Sequence, residues 1–63
     1  MNTQEIKEMI LNGQQFSNEQ ADWYTLSSPE NDRRIIVIGG EYRFYKTLNS
    51  YAKRISQLIK RGY

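Results

Sequence analysis

Apolar positions divide the chain into four patterned stretches. Ile6, Met9 and Ile10 fall at i, i+3 and i+4, which predicts a short amphipathic helix over 3–12. Asn2 and Glu5 have the spacing of a capping box at its start, and Gly13 suits the left-handed position past its end. Residues 14–28 carry two signals. Ser17 with Gln20 is a second capping signature and predicts a helical turn through 18–21. Trp23-Tyr24-Thr25-Leu26 is rich in strand formers and runs into the turn residues Ser28-Pro29-Glu30-Asn31-Asp32, which predicts a strand over 22–27.

The pattern is clearest in the second half. Arg33–Ile38 ends in four β-branched residues, Glu41–Lys46 interleaves aromatic and charged residues, and Gly39-Gly40 lies between them. A diglycine between two such runs predicts a two-residue type I′ hairpin, because both central residues need positive φ. The implied register pairs Ile38 with Glu41, Val37 with Tyr42, Ile36 with Arg43, Ile35 with Phe44 and Arg34 with Tyr45. Alternation puts Ile35, Val37, Tyr42 and Phe44 on one face and Arg34, Ile36, Ile38, Arg43 and Tyr45 on the other. Thr47 is placed to cap a second helix running to Arg61, with Gly62 beyond it. Its apolar positions, Leu48, Tyr51, Ala52, Ile55, Leu58 and Ile59, form the strongest helical period in the chain.

The predicted fold is α+β: a small three-stranded antiparallel sheet packed on a C-terminal helix, with a short N-terminal helix, in the order α-β-β-β-α. The C-terminal helix is expected to cover the Ile35, Val37, Tyr42 and Phe44 face. The other face needs a cover too, supplied by the N-terminal helix, a second copy or a target. If Ile36, Ile38 and Tyr45 are exposed they form an interface; if residues 6–10 cover them they are core.

With 63 residues, the chain 1–63 is expected to be one small domain. A domain of this size buries only about 60% of its unfolded surface, so oligomerisation or a partner is a common supplement. There is no Cys and no His, which removes disulfides, thiolate nucleophiles, the commonest general base and the usual zinc ligands. The serines lack a nucleophile elbow, the diglycine lacks phosphate-loop spacing, and 30–32 lacks the alternating acids of a calcium loop. The expectation is no enzyme, no catalytic residue, no cofactor and no metal. The longest apolar run, Ile35–Ile38, is far short of a membrane span, and no basic-then-apolar export signal stands at the start. A cytoplasmic protein without a membrane partner is expected.

Charge is unevenly spread. Residues 1–32 hold one base and six acids, whereas 33–63 hold eight bases and one acid, a net of −5 against +7. The basic half is either a patch for an anionic partner or is neutralised by the acidic half. Candidate partner-binding residues are Arg34, Ile36, Ile38, Arg43 and Tyr45 on one sheet face, and Lys53, Arg54, Lys60 and Arg61 on the C-terminal helix. The order of Tyr24 strand, Ile35 strand, Phe44 strand and helix 48–61 resembles the amino-terminal arm-binding domains of phage-type integrases, over about two-thirds of the chain. The resemblance lies in element order and includes no sequence motif. It implies a three-stranded sheet, backed by a helix, that enters a DNA major groove. A helix-turn-helix over the first 22 residues is disfavoured, because its recognition helix would carry Glu19 and Asp22 and no base. The Asn, Gln, Ile and Lys usage and the size have the look of a small phage or mobile-element product. The expected function is non-enzymatic binding of a host protein. The alternative is a nucleic-acid-binding regulator using the basic sheet face and basic helix, and a homodimer is a third possibility.

Overall fold

A computed structural model describes residues 2–20 and 22–61. The elements are α1 (Thr3–Leu11), β1 (Trp23–Ser28), a 3₁₀ turn (Pro29–Asn31), β2 (Arg33–Ile38), β3 (Glu41–Phe44) and α2 (Leu48–Lys60). The expected order α-β-β-β-α is the one observed, and the strands form an antiparallel sheet in the order β1-β2-β3.

Local chemistry sets the boundaries. At the start of α1, the Asn2 Oδ1 accepts from the Glu5 amide at 2.8 Å, satisfying one of the helix's orphan donors. At its end, the Gly13 amide donates to the Ile10 carbonyl and the Gln14 amide to the Met9 carbonyl. These two bonds make a Schellman cap, and Gly13 supplies the φ of +85° that it requires. Thr47 Oγ1 accepts from the Ser50 amide at 3.1 Å and caps α2. The Gly62 position past α2 lies outside the described residues.

The hairpin has the predicted register, from Ile38 opposite Glu41 to Ile35 opposite Phe44, and the Tyr45 amide donates to the Arg34 carbonyl at 2.9 Å. Gly39 and Gly40 have φ of +56° and +83°, the type I′ values that disfavour residues with a Cβ. On the other side of β2, Trp23 stands opposite Ile38 and Leu26 opposite Ile35.

The helical turn expected over 18–21 does not form within the described part, 18–20; Ala21 lies outside the described residues. Ser17 makes a β-bridge with Tyr24. The capping role passes to Asn18, whose Oδ1 accepts from the amides of Asp22 at 2.7 Å and Trp23 at 3.4 Å. A short polar side chain that bonds forward in this way stabilises a turn in place of a helix. The preceding residues then close the outer edge of β1. The Thr25 amide donates to the Phe16 carbonyl at 2.9 Å, and Gln15 Oε1 accepts from the Ser27 amide at 3.1 Å.

Both helices pack on one face of the sheet. The core contains Ile6 and Ile10 from α1, Trp23 and Ile36 from the sheet, and Tyr51, Ala52, Ile55 and Leu58 from α2, with Ile38 and Tyr45 packed at its margin. This reverses the expected assignment of faces. Helix α2 lies over Trp23 and Ile36, not over Ile35, Val37, Tyr42 and Phe44. The reason is β1: its pairing puts Trp23, the largest apolar side chain, on the Ile36 face, and burying that indole against two helices outweighs the extra apolar residues of the hairpin's other side.

Candidate interaction surfaces

The face away from the helices is built by alternation along all three strands. Tyr24 and Tyr42 flank Val37, and Leu26 and Phe44 flank Ile35. Ile35 and Val37 are buried between these neighbours, while Tyr24, Leu26, Tyr42 and Phe44 remain 38%, 42%, 59% and 75% exposed. Of the five large hydrophobic side chains left exposed among the described residues, four lie here; the fifth is Leu11. A wholly exposed aromatic offers about 150–250 Å², so these four side chains leave roughly 400 Å² of largely apolar surface open. That is about a tenth of the molecule's 4419 Å², and it equals the largest patch on a typical monomer several times heavier. A shallow depression of about 260 Å³ lies at one end, lined by Gln15, Leu26, Ser27, Ser28, Arg33 and Ile35. Of the strand residues that alternation places on this side, only Arg33 is charged.

The residues singled out from sequence separate into two groups. Ile36 is fully buried, and Ile38 and Tyr45 are half-buried against the core that also holds Ile6 and Ile10. Tyr45 leans on Tyr51 with ring centroids 5.6 Å apart. Arg34 is committed within the fold. Its guanidinium pairs with Asp32 and donates to the carbonyls of Tyr45 at 3.2 Å and Lys46 at 2.7 Å, fastening the start of β2 to the β3–α2 connection. Asp32 has a φ of +56°, a conformation that Asp tolerates better than most residues. The hydrogen bond and charge of Arg34 hold its carboxyl below the usual range. Arg43 is exposed on the helix side of β3 and pairs with Glu41 at 3.1 Å. The combined Arg34, Arg43 and Tyr45 face is therefore not a free surface: two of its three members serve the fold.

The helix cations form the second group. Lys53, Lys60 and Arg61 are exposed and Arg54 is half-buried, with its Nη1 donating to Gln57 Oε1 at 3.2 Å. The ion pairs among the described residues are Arg34–Asp32 and Arg43–Glu41. The acids of the first half make no direct ion pair with α2. No Asp or Glu follows Glu41 in the chain.

Inside the core, Tyr51 is fully buried and its hydroxyl donates to the Ile35 carbonyl at 2.9 Å. Burial pushes its phenol above the ordinary value of 10.0. No described side-chain polar atom is buried without a partner. No described helix is long and apolar enough to cross a membrane.

The sheet-face residues Tyr24, Leu26, Tyr42 and Phe44 were not singled out as a surface from the sequence, because the C-terminal helix was expected to cover Tyr42 and Phe44. The signal that finds them is the phase of β1: Trp23 and Tyr24 point to opposite sides, and only one side receives the helices. Comparison with known protein families, curated proteins and solved structures finds no match to this chain.

Proposed function

We propose that the chain is a non-enzymatic binding module whose working surface is the open face of the sheet, and that its partner is a protein presenting an apolar surface of its own. The supporting observation is the cluster of Tyr24, Leu26, Tyr42 and Phe44, exposed together over the buried Ile35 and Val37. Aromatic side chains held on a rigid strand surface are the usual anchors of protein interfaces. Charge selects the partner class. With Arg33 as the only cation among the strand residues of that face and the cations of α2 on the layer behind the sheet, a phosphate backbone laid across the aromatics would meet little countercharge.

The test substitutes Leu26→Asp with Tyr24→Asp in one variant and Lys53→Glu with Lys60→Glu in another. Both pairs are exposed, and the fluorescence of the buried Trp23 reports whether the fold survives. Capture of a specific protein that is lost with the sheet pair and kept with the helix pair supports the proposal. Capture that depends on the helix pair, or that nuclease abolishes, overturns it.

The acid-free surface of α2 favours a second reading, nucleic-acid binding through Lys53, Arg54, Lys60 and Arg61. Here the Lys53→Glu and Lys60→Glu variant would abolish a salt-sensitive association with duplex DNA, and a lack of binding at low salt would remove this reading.

A further inference from the structure

The sheet has one closed edge and one open edge. Residues 15–17 line β1, and the amides of Thr25 and Ser27 that point outward are satisfied there. Nothing among the described residues pairs with the outer edge of β3. In an antiparallel ladder, residues that bond to the neighbour alternate with residues that point away. The bond from the Tyr45 amide to the Arg34 carbonyl fixes the phase. It directs Arg43 and Glu41 inward to β2 and leaves the backbone N–H and C=O of Tyr42 and Phe44 aimed outward. All four β3 residues are exposed. Such an edge is a template for another strand.

We propose that the occupant of this edge is a second copy of the chain, paired antiparallel through β3 about a two-fold axis at Tyr42, with Glu41 of each copy facing Arg43 of the other. The choice of occupant and register follows from charge. An outward residue must meet an outward residue, so a two-fold pairing admits three registers over Tyr42 and Phe44. Pairing Tyr42 with Phe44 sets Arg43 against Arg43, which repels. Pairing Phe44 with Phe44 sets Arg43 against Tyr45 and carries Tyr42 to Lys46, past the strand's end. Pairing Tyr42 with Tyr42 sets Glu41 against Arg43 twice, at the close, non-hydrogen-bonded positions where cross-strand ion pairs are most favourable. It also lays Phe44 beside Gly40, whose missing side chain leaves room for the ring. A closed two-fold contact must be self-complementary, and in this register Glu-Tyr-Arg-Phe is complementary to itself.

Opposed residues in a sheet point to the same side, so pairing leaves both open faces on one side of a six-stranded sheet. The exposed patch of roughly 400 Å² then becomes roughly 800 Å², the share that one partner contributes to a standard protein interface. The edge pairing therefore builds the docking face of the proposed function from two incomplete halves. The pairing itself rests on the edge and its charges, not on what occupies the face.

The experiment measures mass by sedimentation equilibrium up to about 1 mM, where even a millimolar Kd is visible. The native chain is expected to rise from 7.5 kDa towards twice that mass. Glu41→Lys alone and Arg43→Glu alone each place like charges across the two-fold and should remain monomeric. Each also breaks the ion pair within its own chain, so the deciding arm mixes the two single variants. The wholly positive strand of one then meets the wholly negative strand of the other, and the mixture should associate although neither component does and neither within-chain pair is restored. A native chain that stays monomeric throughout, or a mixture that does not associate, overturns the proposal. So does self-association that survives both single variants but is lost in the Tyr24→Asp, Leu26→Asp variant, which would show face-to-face packing. Those face variants leave β3 untouched, so failure of the edge and failure of the protein-docking face are read separately.

Discussion

The two sides of the sheet are drawn from alternate residues of the same three strands, yet they differ in what they do for the molecule. The covered side presents Trp23, Thr25, Ile36 and Ile38 to two helices, and it includes a polar member, Thr25, whose hydroxyl donates to Gln15 Oε1 at 3.0 Å. The open side presents Tyr24, Leu26, Ile35, Val37, Tyr42 and Phe44 and carries more apolar residues than the covered one. Apolar content therefore does not by itself decide which side becomes core. What decides it is where the largest side chains of all elements converge. Trp23, Tyr51, Ile6, Ile36, Ile55 and Leu58 are the largest fully buried side chains, and they come from every element except β3 and the 3₁₀ turn. The side left over is apolar without being needed for the core, which is the condition expected of an interaction surface.

The contrast is broken most directly by truncating one large ring on each side. Trp23→Ala removes a 1% exposed indole from the centre of the core and is expected to cost about 3–5 kcal/mol, enough to unfold most of a domain this small. Phe44→Ala removes a 75% exposed ring and should change stability by no more than about 0.5 kcal/mol. Urea unfolding followed by far-UV circular dichroism compares the two. Equal losses would mean that the open face is occupied by part of this chain and that the two sides are equivalent.

The sequence pattern reached the fold further than it reached the surface. Caps, the diglycine turn and the period of α2 act over two to eleven residues, so Asn2, Gly39, Thr47 and the Leu48–Ile59 stripe could be read locally, and the α-β-β-β-α order followed. The side on which the helices settle is a property of the whole sheet. The hairpin alone offered Ile35, Val37, Tyr42 and Phe44 as the better core, and only the phase of β1, which places Trp23 opposite Ile38, reverses that choice. The same reversal turned Ile36, Ile38 and Tyr45 from candidate contacts into core and margin. Arg34 was legible as a cation but not as a clasp, because its partners, the carbonyls of Tyr45 and Lys46, are reached only after the chain has turned through the hairpin. Lys53, Lys60 and Arg61 kept the solvent-facing position that the helical period assigned them, with Arg54 half-buried at its flank, because a polar stripe opposite a buried one needs no tertiary information.

The hairpin is the next place to press on the contrast, since its register assigns each β2 and β3 residue to a side and a slip of one residue would exchange them. Gly39 adopts a φ of +56°, and a Cβ added there meets nothing within 4 Å. The expected loss for Gly39→Ala is therefore purely conformational, about 1–2 kcal/mol. Gly39→Asn should lose less, because Asn-Gly is itself a favoured type I′ pair. Chemical denaturation ranks the variants. A loss as large for Asn as for Ala would mean that the turn needs glycine for a reason other than its backbone angle.

The finest difference concerns the Tyr51 hydroxyl. Tyr51 reaches from α2 through the covered side to the carbonyl of Ile35, a residue whose own side chain faces the open side. Tyr51→Phe keeps the ring and deletes that bond, with an expected cost of about 0.5–1.5 kcal/mol. The value should fall at the low end, since a strand carbonyl has a second acceptor site engaged by its ladder partner. The same residue gives the contrast a pH signature. Burial raises the folded phenol above its ordinary 10.0, so the unfolded chain ionises first. The stability contributed by neutral Tyr51 is then complete below pH 10.0 and is lost as pH rises through the folded value. Unfolding free energies measured from pH 8 to above the ordinary tyrosine range should fall more steeply for the native chain than for Tyr51→Phe. Parallel curves would show that the hydroxyl is solvated in the folded state and does not tie α2 to the sheet.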